Sequence, residues 1–252
     1  MPNRPKASLY VYPNLDVLSR GIAQHVVSHI QTILSRQSVY TLAVSGAAPL
    51  QLTYDLLGTI EDALLDWSRV HVFWSHEALV PPTHPASAQR RVRDALLDVI
   101  PLPPPNIHPI PTDAASPRAA ARRYAEVLRT YFDQRTHTFD LALLSLYPDG
   151  RTAGLFPEND LHSDDTQWVR AVTAPPRYDV AEHLTCTIPV LNGARQVAVV
   201  ATGHATERAL RGSLQGDPTF PAARIHPRQA IGWFVDEAAR FGLGARATPE
   251  GS

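Results

Sequence analysis

The sequence predicts an α/β fold: a mostly parallel sheet with helices on both faces. Short β-branched or aromatic runs alternate with longer segments of helical periodicity along most of the chain. Prolines gather between those segments, at Pro81-Pro82, Pro101 to Pro105, Pro109 to Pro111 and Pro175-Pro176, where they punctuate elements. At 252 residues, 44% hydrophobic and 19% charged, the chain suits one globular domain spanning residues 1–252. No internal repeat or linker interrupts it.

Leu9 to Tyr12 reads as a short opening strand. Asp16 to Arg36 repeats Val17, Leu18, Ile22, Val26, Ile30, Ile33 and Leu34 at helical spacing, giving one buried stripe. Tyr40 to Val44 is a buried strand by its β-branched and aromatic content, and a small-residue turn leads to a helix over Leu50 to Leu57. Val70 to Trp74 is the next strand and Ser87 to Val99 the next helix. Pro117 to Phe132 is helical, with Tyr124, Val127, Leu128 and Tyr131 on one face. Leu141 to Leu146 and Val197 to Thr202 are strands, the second followed by a helix from Ala205 to Leu214. Ile231 to Phe241, carrying Trp233 and Phe234, is expected to close the chain as a helix.

The bulk numbers exclude several functions. A net charge of −1 supplies no excess of Lys and Arg for nucleic-acid phosphates, although a local basic pocket for one small anion is compatible with it. The lone Cys186 forms no internal disulfide, and no Cys/His spacing reads as zinc, so neither metal nor cofactor is expected. The N-terminus lacks an apolar signal region and no run approaches membrane-spanning length. A cytoplasmic protein without membrane or nucleic-acid partners is the expectation, as a monomer or small homo-oligomer.

In parallel sheets, ligands sit beyond the carboxyl ends of the strands. Four loops meet that condition. Ser45-Gly46-Ala47-Ala48 offers backbone N–H groups that can approach an anion, although the same small residues suit a plain strand-to-helix turn. Trp74-Ser75-His76-Glu77-Ala78 places an imidazole beside a carboxylate, a pairing that also fits a solvated loop. Leu143 to Pro157 runs from an apolar strand through Pro148-Asp149-Gly150 to Thr152-Ala153-Gly154-Leu155-Phe156-Pro157. The fourth loop is Ala201-Thr202-Gly203-His204-Ala205-Thr206.

These motifs resemble those of the 6-phosphogluconolactonase family, collinearly over nearly the whole chain. The third loop carries most of the likeness, where the family normally reads Gly-Pro-Asp-Gly-His. Trp74, Glu77, Val80, Pro81 and Ser87 match a Trp-Gly-Asp-Glu-Arg segment and its continuation, and Ser45, Gly46 and Tyr54 match the first loop. Ile188 to Arg195 and Trp233 to Asp236 match later segments. The resemblance implies the sheet architecture shared with ribose-5-phosphate isomerases and glucosamine-6-phosphate deaminases. It also implies hydrolysis of 6-phosphoglucono-1,5-lactone in the pentose phosphate pathway.

The departures sit where the family's chemistry resides. Arg151 stands in place of the catalytic histidine, and a guanidinium cannot accept a proton from water. Ala78 replaces a phosphate-binding Arg, and Thr206 a phosphate-binding Lys. Tyr147 adds bulk where the family has glycine. One reading keeps hydrolysis: His76 acts as base, Glu77 orients its ring, and Arg151 binds phosphate or oxyanion. Ser45, Gly46, Ala47, Asp149, Gly150 and Thr206 then contact a small phosphorylated sugar or lactone. The alternatives are a catalytically inactive paralogue that binds a sugar phosphate or a protein partner, and an enzyme for a differently charged lactone.

Overall fold

Strands apolar on both faces take the middle of a sheet, because helices cover them from either side. Tyr40–Val44 (β2), buried throughout, does so. The computed structural model describes residues 5–60, 64–159 and 166–243. With Lys6–Tyr12 (β1), Val70–Trp74 (β3), Ile107–His108 (β5), Leu141–Ser145 (β6), Gln196–Ala201 (β9) and Ala230–Asp236 (β10), β2 forms a parallel seven-stranded sheet. Its order is β1-β10-β9-β6-β2-β3-β5.

A second sheet was not anticipated. His76–Ala78 (β4), Val169–Thr173 (β7) and Glu182–Cys186 (β8) pair antiparallel in the order β4-β8-β7. Only Ser75 separates β3 from β4. Its N–H donates to Val44 O at 2.9 Å and its carbonyl accepts from Cys186 N–H at 2.8 Å, so one residue joins the two sheets.

The helices flank the main sheet. Leu15–Leu34 (α1) starts at Asn14, whose side chain accepts from Val17 N–H at 3.0 Å, and buries Leu18, Ile22, Val26 and Ile30. Gln51–Gly58 (α2) follows β2. Ala88–Val92 (α3) passes into a π-helical turn over Arg93–Leu97. Pro117–Phe132 (α4) is capped by Ser116 with proline in its first turn. Ile188–Asn192 (α5), Glu207–Leu214 (α6) and Glu237–Arg240 (α7) are the remaining α-helices among the described residues.

The closing segment departs from expectation. Ile231 to Phe241 is not one helix: β10 occupies most of it, and only α7 and a short 3-10 turn follow. The reason is its place between β1 and β9, where Ile231, Trp233, Phe234 and Val235 are all buried. Two-sided burial produces a continuous apolar run whose periodicity does not separate strand from helix.

The connections set the site. From β2 the chain goes on to β3 on one side, whereas β6 is bonded to β9 on the other, so the loops after β2 and β6 diverge at a switch point. Two buried tyrosines close the strand ends there. The Tyr54 hydroxyl accepts from Ser45 N–H (3.2 Å) and donates to Ser45 O (2.8 Å). The Tyr124 hydroxyl accepts from Trp74 N–H (2.9 Å) and donates to Trp74 O (3.0 Å). Each replaces the neighbour that the sheet no longer provides. Tyr124→Phe therefore leaves a buried N–H without a partner, and urea denaturation is expected to show a loss of about 1–3 kcal/mol.

Candidate active site

The cavity at the switch point holds about 290 Å³. Gly46 after β2, His76 and Ala78 of β4, and Ala88 and Arg91 of α3 line one side. Tyr147, Arg151, Gly154 and Phe156 from the loop after β6 line another. Tyr178, Asp179 and Val180, in the β7–β8 connection, and His183 of β8 form the outer wall. The second and third loops thus face one space.

Close backbone packing draws these loops together. A Cβ on Gly46 would lie 2.4 Å from the Ala88 Cα, so only glycine lets the first loop touch α3. At Gly154, with φ +71°, a Cβ would lie 3.1 Å from the His76 Cβ. The third loop therefore rests directly on the imidazole. Thr185 of β8 donates its hydroxyl to the Ala153 carbonyl and pins that loop to the small sheet.

His76 and His183 are diagonal neighbours on one face of the small sheet, since His76 pairs with Thr185 and Ala78 with His183. Burial lowers the His76 pKa to about 3, with His183, Arg151 and Arg91 adding to the effect. Burial also lowers that of His183. Its Nε2 lies 3.0 Å from Val180 O, which places the proton on Nε2 and leaves Nδ1 as a lone pair without a partner among the described residues. Both rings are neutral near pH 7.

Arg151 is fixed by its surroundings. Its guanidinium lies 3.8 Å from the Tyr147 ring centroid and 4.4 Å from that of Tyr178, and it pairs with Asp149 at 3.7 Å. Asp149 also accepts from the Tyr178 hydroxyl and from Arg177 at 3.2 Å. Arg177 in turn pairs with Glu158 at 2.8 Å. The cation is held between aromatic faces at the cavity edge.

Comparison with known proteins reveals the same architecture and sequence pattern. The family described as glucosamine-6-phosphate isomerases/6-phosphogluconolactonase matches residues 13–233. The chain belongs to this family. A 6-phosphogluconolactonase from Synechocystis is 36% identical, over 90% of this chain and 94% of the relative. Among solved structures, 6-phosphogluconolactonase from Thermotoga maritima superposes with a TM-score of 0.81 at 24% identity, covering 92% of this chain and all of that one. A monomeric glucosamine-6-phosphate deaminase superposes with a TM-score of 0.80 at 17% identity, covering 92% and 98%. At these identities the structural likeness speaks for the fold.

Within this family member, the site residues expected from sequence divide. His76, Arg151 and Gly46 line the cavity together. Ser45 and Ala47 are buried beside it, Ser45 with its backbone held by Tyr54. Asp149 faces the Arg177 and Tyr178 network, and Gly150 closes its turn over the Phe220 ring. Thr206 is buried, with its hydroxyl donating to Thr202 O (3.1 Å) and Gly203 O (2.9 Å), so it contributes nothing to the cavity lining.

Glu77 corrects the expectation that it orients His76. Successive strand residues point to opposite faces, and its carboxylate turns away to α3. It accepts from Ala88 N–H (2.7 Å), Gln89 N–H (2.8 Å), Ala78 N–H (2.9 Å) and the Ser87 hydroxyl (3.3 Å). Burial raises its pKa to about 7 although all four bonds pull the other way. Arg91, Tyr178 and His183 are cavity residues that no sequence motif marked. Three arginines within four residues, Arg90, Arg91 and Arg93, were the available signal for the first of them. Glu77→Ala strands the Ala88 and Gln89 N–H groups, and chemical denaturation is expected to register a loss of about 2–4 kcal/mol.

Proposed function

We propose that this protein hydrolyses 6-phosphoglucono-1,5-lactone to 6-phosphogluconate, with His76 as base and Arg151 as the electrophilic partner. The observation that carries the reading is the meeting of a neutral imidazole and a fixed guanidinium in one cavity at the carboxyl edge of the sheet. The family membership supports the substrate class: a small phosphorylated sugar or its lactone.

In this reading water attacks the lactone carbonyl carbon while His76 takes a proton from it. Arg151 stabilises the oxyanion that forms. The ring C–O bond then breaks as the ring oxygen takes back the proton held by His76 and leaves as a hydroxyl, and the new carboxylic acid releases its remaining proton to solvent as the carboxylate. A base with a pKa of about 3 is weak, but an anionic ligand beside it favours the imidazolium and raises that value. Substrate binding thus increases the basicity of the group that must act on it.

A second reading, a catalytically silent binding protein, draws on the absence of a carboxylate partner to His76 among the described residues, since Glu77 serves α3. Turnover separates the two. The lactonase assay is expected to show a rate above spontaneous hydrolysis that falls on the order of 100-fold in His76→Ala. A background rate in the wild type, combined with a thermal shift on adding 6-phosphogluconate, favours the binding protein.

NMR titration supplies a further check. Free His76 is expected to stay neutral until the pH falls toward about 3, and to titrate at higher pH once 6-phosphogluconate is bound. Titration of His76 near the ordinary histidine value in the free protein contradicts the account.

A further inference from the structure

We infer that Arg91 is the phosphate anchor of this cavity and sets its preference for phosphorylated over unphosphorylated sugar ligands. The inference rests on the lactone reading for the identity of the ligand, and on the charge pattern of α3 for the residue.

Arg90, Arg91 and Arg93 stand almost together in the sequence, and the helix sends them to different fates. Arg90 pairs with Asp94 at 3.5 Å and Arg93 with Asp98 at 3.3 Å, both on the solvated side. Arg91 lines the cavity instead. Among the described residues its side chain makes one hydrogen bond, 3.0 Å from Nη1 to the Gly46 carbonyl, which holds the guanidinium in place without neutralising it. No carboxylate pairs with it among the described residues. Arg151 is different: Asp149 compensates part of its charge and Tyr147 and Tyr178 cover its faces. The uncompensated charge of the cavity is therefore that of Arg91.

The neighbouring surface leaves space for a ligand at that charge. Gly46, Ala78, Ala86 and Ala88 line the same region and project no more than a methyl group. Among the described residues Asp179 is the one acidic side chain of the lining, and it is exposed on the β7–β8 connection. A planar N–H fork beside small residues suits an oxyanion with two or three exposed oxygens. In a sugar-phosphate lactone the carboxyl group is esterified, so the phosphate is the only anion such a ligand presents.

Isothermal titration with 6-phosphogluconate and with gluconate isolates the phosphate, because the two differ in nothing else. Wild type is expected to bind the phosphorylated compound more tightly, on the order of 10- to 100-fold. Arg91→Gln should collapse that gap while changing gluconate affinity little, and Arg91→Lys should restore part of it. Arg90→Gln, on the solvated side, should leave it intact. A gap that survives Arg91→Gln, equal weakening of both ligands, or no preference in the wild type overturns the inference. Because binding is measured without turnover, a protein that hydrolyses nothing but loses phosphate preference in Arg91→Gln sinks the catalytic reading and leaves this one standing.

Discussion

A fully buried carboxylate organises one side of the cavity. Glu77 gathers three backbone N–H groups and one hydroxyl, and in doing so ties β4 to the start of α3. His76 immediately precedes it, Arg91 lies one helical turn beyond its partners, and Gly46 packs on Ala88. Burial disfavours the charged acid, and the converging donors offset only part of that penalty, which leaves the pKa raised to about 7. A motif carboxylate next to the imidazole in sequence is thus a brace, and the chemistry is arranged around it.

The electrostatics of the cavity follow from which groups keep their charge. Guanidinium groups remain cationic at any pH the fold tolerates, whereas burial and those same cations suppress protonation of the imidazoles. Permanent charge and proton acceptance therefore reside on separate side chains. Arg151 is stacked between tyrosines; the Arg91 guanidinium, bonded among the described residues to Gly46 O alone, retains donors for a ligand.

The central strands were legible because burial on both faces leaves a local trace. Tyr40–Val44 and Val70–Trp74 occupy the residues their apolar runs indicated, and so does the helix Pro117–Phe132, through its cap and spacing. The same two-sided burial made β10 ambiguous. The small sheet left little trace: β4, β7 and β8 are short and carry polar residues, and β4 and β8 give His76, Ala78 and His183 to the cavity. Motif likeness brought His76, Gly46 and Arg151 into view. Arg91 and His183 depend on helix rotation and strand pairing, which are settled by partners distant in the chain. The role of Glu77 was hidden for the same reason, since its donors lie ten or more residues away except for Ala78.

Ser75 is the hinge between two structural economies. On one side lies the parallel core, ended by its tyrosine hydroxyls; on the other lies a three-stranded flap that contributes His76, Ala78 and His183 to the ligand surface. Because most recognition groups hang on that appendage and on loops, they can be exchanged without disturbing the buried ladder. A lineage carrying this scaffold is free to migrate from one sugar chemistry to another while its folding programme stays unchanged.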